Sequence, residues 1–175
     1  MFKNHILILC LITMLACQDN SEITIEQTPA SDPELTSIQA AIDGLYANIR
    51  VENGQTPEID DILYYFAPQA RMGSVKDGAA SLQNANQYFD GWMEAMKKLT
   101  PELLKEWEIE GKSQYFGNIA YHTSKYGVYF NTTDSIAEQG IINYQLVKLG
   151  DDWKVISMIW KAEDKNNIIP GTYFE

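Results

Sequence analysis

His122 is the only histidine after residue 16. It sits in a segment rich in β-branched and aromatic residues, where Ala120, Ser124 and Tyr126 alternate with it and so share its strand face. An imidazole on an apolar inner face is a natural general base, most of all when a carboxylate orients it. Sequence spacing designates no such carboxylate, and a histidine in this setting can equally be a hydrogen-bonded core residue. Tyr64, Tyr65, Trp92, Met93 and Met96 could line a pocket or simply fill a core. Asn143 and Gln145 alternate along one strand face, where buried amides would orient a ligand and exposed ones would meet water. The residues expected to bind a ligand are therefore Tyr65, Trp92, Met96, His122, Tyr126, Asn143 and Gln145, with His122 the catalytic candidate if the protein is an enzyme.

Other chemistries lack their residues. One histidine and no free cysteine beyond residue 17 leave a zinc or transition-metal site without its usual ligands on composition alone. The chain has no glycine-rich phosphate loop and no G-x-S-x-G nucleophile turn. No cofactor is expected.

The elements that must position these residues fall into two halves. Asp32-Pro33 is a helix start, with an N-cap followed by proline at the first helical position. Leu35, Ile38, Ile42, Leu45 and Ile49 then follow at helical spacing up to Gly54. Thr56-Pro57 opens a second helix with Ile59, Ile62, Leu63 and Phe66 on its apolar face. Residues 70–75 suit a short strand, and a third helix is expected to carry Leu82, Ala85, Phe89, Trp92, Met93 and Met96. Thr100-Pro101 could open one further turn. After residue 105 the pattern changes to long segments rich in Ile, Val, Tyr, Trp and Thr, divided by Gly117-Asn118, by residues 131–134 and by Gly150-Asp151-Asp152. These are turn signals, and the second half reads as an antiparallel meander. Helices followed by strands give an α+β class, with helices on one sheet face. Strict alternation in the last strand places Trp153, Val155 and Ile159 on one face and Ile156, Met158 and Trp160 on the other. Both faces are then apolar, so the second needs a cover, either sheet curvature or a partner chain.

Two early helices, the "YYFAPQARM" segment, a third helix, "GNIAYHTSKY" and the final "YQLVKLGDDWKVISMIW" hairpin together resemble the nuclear transport factor 2-like superfamily, in its SnoaL-like bacterial branch. The resemblance spans about residues 35–170. It implies a cone-shaped fold, N-terminal helices packed on a curved antiparallel sheet, with the alanine face of the His122 strand turned inward and a homodimer formed through the convex face. It does not fix a function, because members include isomerases, dehydratases, cyclases and non-catalytic binders. The ketosteroid isomerase branch carries a catalytic Asp just after its first strand. Here that stretch reads Ala70-Arg71-Met72-Gly73-Ser74, with no carboxylate before Asp77, which is expected to cap or precede a helix.

The N-terminus has its own chemistry. An apolar run from Ile6 to Ala16 follows Lys3, which is too short to span a bilayer and suits an export signal. Met14-Leu15-Ala16-Cys17 resembles a bacterial lipobox, which implies removal of residues 1–16 and acylation of Cys17. Residues 17–34 are acidic and carry Pro29 and Pro33, as a flexible tether would. Residues 35–175 form the expected nuclear transport factor 2-like domain.

The full chain carries a net charge of −11. Such a surface repels nucleic acid and anionic lipid, so neither is an expected partner. Membrane association would run through the anchor alone. The expectation is an envelope protein, lipid-anchored on a periplasmic or surface face of the outer membrane, that binds a small apolar or amphipathic ligand. An acid–base enzyme of cyclase, dehydratase or isomerase type and a non-catalytic protein-interaction module remain the alternatives.

Overall fold

A computed structural model describes residues 32–76 and 78–175. The export signal, Cys17, nearly all of the tether and the role expected of Asp77 lie outside the described residues. Helix α1 (Pro33–Asn48) starts where the Asp32-Pro33 signal places it: the Asp32 carboxylate accepts from the backbone N–H groups of Glu34 and Leu35. Its apolar stripe buries Ile38, Ile42, Leu45 and Tyr46. Short strand β1 (Arg50–Glu52) and a one-turn helix α2 (Ile59–Leu63) follow.

Strand β2 (Phe66–Lys76) is longer than the sequence pattern indicates, and its hairpin partner β3 (Ala79–Asn84) takes residues expected in a helix. Leu82 is therefore an exposed strand residue, and Phe66 opens a strand and does not close a helix. Helix α3 (Ala85–Leu99) starts only at the Asn84 cap, whose side chain accepts from the Gln87 N–H. Thr100 then adopts a left-handed conformation that ends α3, so no further helical turn forms at Pro101. The chain passes directly into β4 (Leu103–Phe116). Strands β5 (Ile119–Phe130), β6 (Glu138–Leu149) and β7 (Asp152–Ala162) complete the meander as expected.

The seven strands form one sheet in the order β1-β4-β5-β6-β7-β2-β3, antiparallel except where β2 runs parallel to β7. Parallel pairing at that place is a consequence of connectivity: β2 precedes α3 and the whole meander, and β7 returns beside it. The α+β class stands. The inner face of the sheet packs through Phe66, Met72, Ile142, Tyr144, Leu146, Trp153 and Val155 on helix residues that include Phe89 of α3.

Strand β7 departs from strict alternation. A β-bulge opposite Gln145 and Leu146 inserts Ile156 between Val155 and Ser157. One extra residue reverses the parity of everything after it. Met158 thereby joins Trp153 and Val155 on the inner face, buried, and Trp160 packs edge-on to Tyr88 at 5.2 Å. Ile159 turns outward instead and is exposed. The outer stripe of Ile156, Met158 and Trp160 does not exist; of the three, only Ile156 contributes to the outer face.

The start of α1 is fixed to one end of the sheet. Lys148 and Trp153 both donate to the Glu34 carboxylate, at 2.6 and 3.1 Å, and the Tyr115 hydroxyl donates to Asp32 at 2.9 Å. This is the end that carries the β4–β5 and β6–β7 turns, since the Lys148 N–H donates to the Asn118 carbonyl.

Candidate functional site

The inner face of β5 carries Ala120, His122, Ser124 and Tyr126, all buried, as period-two alternation requires. The His122 and Ser124 side chains are completely inaccessible. Burying that much polarity is costly unless every group is paired, and here the pairing comes from β4. Register sets Ser113 directly opposite His122, and Ser113 Oγ lies 2.7 Å from His122 Nδ1. A bulge between Glu108 and Glu110 returns Glu108 to the inner face, where its Oε2 lies 2.5 Å from His122 Nε2. Both ring nitrogens are thereby paired, Nε2 with the carboxylate and Nδ1 with the serine hydroxyl.

Glu108 is held from several sides. Gln39 of α1 donates to Oε1 at 2.9 Å and also to Asp43. Ser124 bonds the same carboxylate and sits 2.8 Å from the Tyr46 hydroxyl. Burial raises the Glu108 pKa, but hydrogen bonds from His122, Ser124 and Gln39 outweigh it, and the net displacement is downward. The carboxylate also requires Gly111: a Cβ there would run into both of its oxygens.

Glu106, two residues earlier, is displaced the other way. Desolvation and the charge of Glu138 push its carboxyl up to about 7. The neighbouring Tyr126 hydroxyl donates to Glu138 at 2.8 Å, and burial together with that bond raises Tyr126 well beyond the ordinary phenol range. One strand face thus presents an ionised carboxylate and, next to it, a carboxyl that holds its proton near neutrality.

A cleft of about 270 Å³ between α1 and β4 reaches both groups. Asp43, Tyr46, Ala47, Arg50, Lys105, Glu106, Trp107 and Glu108 line it. His122 does not touch it, because the imidazole lies behind Glu108. A molecule in the cleft would meet the carboxylate, and the histidine would act on it only through that carboxylate. Among the described residues, the buried side-chain polar atom left without a partner is Arg50 Nε, also at this cleft.

The other residues expected at a pocket are dispersed. Tyr65 lies over Gly44 of α1, where a Cβ would collide with its ring, and packs on the core edge. Trp92 bridges the main core to a smaller cluster of Val51, Met96 and Leu104 in which Met96 is buried. Trp92 and Met96 serve packing. Asn143 and Gln145 correct the expectation most directly: both are exposed on the outer face, where Thr123 donates to Asn143 at 2.9 Å. They share neither face nor cavity with His122. The sequence reading overlooked Glu106, Glu108, Ser113 and Tyr46. The alternation of Glu106, Glu108 and Glu110 in β4 was the available signal, obscured because a bulge decides which of them turn inward. Among the described residues, no cluster of three or more His, Cys, Asp or Glu side chains is arranged to hold a metal ion.

No known family profile matches the chain, and no curated protein matches it in sequence. Solved structures do match its fold. A protein of unknown function with a cystatin-like fold from Nostoc punctiforme is 11% identical, with a TM-score of 0.59 over 75% of this chain and 92% of that one. A nuclear transport factor 2-like protein of unknown function from Pseudomonas putida is 13% identical, with a TM-score of 0.59 over 77% and 92%. A proposed dehydratase of the nuclear transport factor 2-like family from Streptomyces avermitilis is 12% identical, with a TM-score of 0.56 over 75% and 96%. The chain has the nuclear transport factor 2-like fold.

Proposed function

We propose that the domain binds a small amphipathic ligand in the cleft between α1 and β4, as a lipid-anchored protein of the bacterial envelope. The observation that carries the binding reading is the Glu108 carboxylate, fixed from behind by a fully buried imidazole and open in front to the cleft. Preorganised polar groups beside apolar walls are the ordinary composition of small-molecule sites. Here Glu108 would accept a hydroxyl or amine of the ligand, and the Tyr46 ring and Ala47 would cover its apolar part. The anchor rests on Cys17 and the apolar run before it.

The test is a ligand search on the intact protein by native mass spectrometry, repeated with Glu108→Gln. Loss of one charge-assisted hydrogen bond should weaken any captured molecule by about 1.5–3 kcal/mol. A co-purifying molecule retained equally by the variant would remove the cleft from consideration.

One observation favours acid–base catalysis as a second reading. Glu106 and Glu108 are displaced in opposite directions on one face, the pattern that separates an acid from a base. Glu108 would then be the base and His122 a positioning residue that stabilises its charge. Under this reading Glu106→Gln and Glu108→Gln each lower turnover by about 10²–10⁴ and remove opposite limbs of the pH profile. Under simple binding, neither produces a pH-dependent rate.

A further inference from the structure

The outer face of the sheet mixes polar and apolar residues, and its most exposed apolar side chains gather at one corner. Lys112, Thr123 and Asn143 form one cross-strand row, while Phe116, Ile119 and Val147 form the row at the turn end. Tyr121 and Ile156 extend the patch, which encloses a shallow groove of about 450 Å³. Phe116 is 85% exposed, Ile119 61% and Tyr121 47%. Leu149, at the adjacent β6–β7 turn, is 51% exposed. A phenylalanine and an isoleucine at the tip of a tight turn contribute nothing to the core, and contiguous exposed apolar surface marks a contact.

The position of the chain start identifies the contact. Asp32 is bonded to Tyr115, the residue before Phe116, so the N-terminal segment leaves the domain beside this corner. Cys17 lies only 15 residues earlier, a span of at most ~50 Å even when fully extended. An acylated Cys17 would therefore attach the domain to the bilayer by a tether that joins it beside this corner. We infer that the Phe116–Ile119 corner is a second membrane contact, in which the turn tip and its aromatic neighbours enter the interfacial region of the bilayer to which Cys17 is attached. The inference rests on the anchor part of the preceding reading and is independent of the cleft. An anchor at one residue leaves orientation free; an apolar and aromatic corner fixes it, since such side chains partition to the headgroup boundary. The surface suited to it is zwitterionic, because the acidic domain repels anionic lipid.

The intact acylated protein, carrying Ile119→Cys labelled with an environment-sensitive fluorophore, would be reconstituted in phosphatidylcholine vesicles containing doxyl-labelled lipid. Ile136→Cys, exposed on the β5–β6 connection away from that turn end, is the control. Expected is a blue-shifted emission quenched by the doxyl lipid at position 119, with quenching at least threefold weaker at position 136. Equal quenching at both positions overturns the inference. A blue shift at 119 that resists lipid quenching and disappears on dilution in detergent also overturns it, and shows a second copy of the chain covering the corner. The mass of the N-terminal peptide is read first. An unmodified Cys17 overturns the anchor reading itself, and this inference with it, by a measurement separate from the fluorescence.

Discussion

The two faces of strands β4 and β5 invert the usual distribution in opposite ways. Inside, where apolar residues belong, Ser113, His122, Ser124 and Glu108 form a polar network with each group paired. Outside, where polar residues belong, Phe116, Ile119 and Tyr121 stand exposed at one end. The inner network is stabilising only as a whole, because removing one member leaves another buried and unpaired. The outer residues touch little, so each can be replaced without disturbing the fold. Local rules are broken at both places, and such departures concentrate where a protein meets something else. They differ in which measurement exposes them: stability and proton binding for the inside, surface partition for the outside.

The largest effect is expected from Glu108→Ala. It strands a fully buried imidazole, and the loss should be about 3 kcal/mol, read as a lowered urea midpoint at pH 7. An unchanged midpoint would mean that the inner network is loosely held and that the contrast between the faces is false.

Gly111→Ala should act through the same group without removing it. The new Cβ displaces the Glu108 carboxylate, at a cost of about 1–3 kcal/mol for overpacking. The accompanying sign is a shift of the His122 ring resonances in the NMR spectrum. Destabilisation with the ring signals unmoved would place the damage in the strand and not in the pair.

Glu106 gives the face a pH dependence. Its folded pKa, about 7, stands above the ordinary carboxyl value of 4.5, so the native state binds the proton more tightly than the unfolded chain. Its contribution to stability is then greatest below about pH 4.5 and declines as pH rises through about 7. Glu106→Gln should abolish that decline and leave the variant about 1–3 kcal/mol more stable than the parent at pH 8. Glu108, displaced downward, contributes the opposite trend: support present above pH 4.5 and lost as pH falls through its folded value. Parallel urea midpoints for parent and Glu106→Gln across pH 5–8 would show Glu106 to be well solvated.

The smallest effect belongs to the outer corner. Phe116→Ser should alter the urea midpoint by less than about 0.5 kcal/mol, as surface changes do, while weakening vesicle association of the acylated chain. A large loss of stability would make Phe116 a core residue and end the comparison.

Much of this molecule follows from short-range chemistry in its sequence. The Asp32-Pro33 start of α1, the meander of β4 to β7 and the shared face of Ala120, His122, Ser124 and Tyr126 are consequences of capping, turn residues and period-two alternation. Cys17 and the apolar run before it are equally local, and their reading as an anchor depends on sequence alone. What lay beyond the sequence was decided by single-residue insertions in β-ladders and by long-range register. A bulge at Ile156 transfers Met158 and Trp160 to the core, and a bulge after Glu108 turns that carboxylate toward His122. Alternation cannot anticipate either, because a bulge forms only when the neighbouring strand and the packed helix make the kinked ladder the better fit. Strand β3 was hidden for a related reason: Leu82 is compatible with the helix that follows, and only pairing with β2 makes it a strand. The Glu108–His122 pair, 14 residues apart along the chain, exists because β4 and β5 meet in one particular register, and that register is a property of the folded sheet.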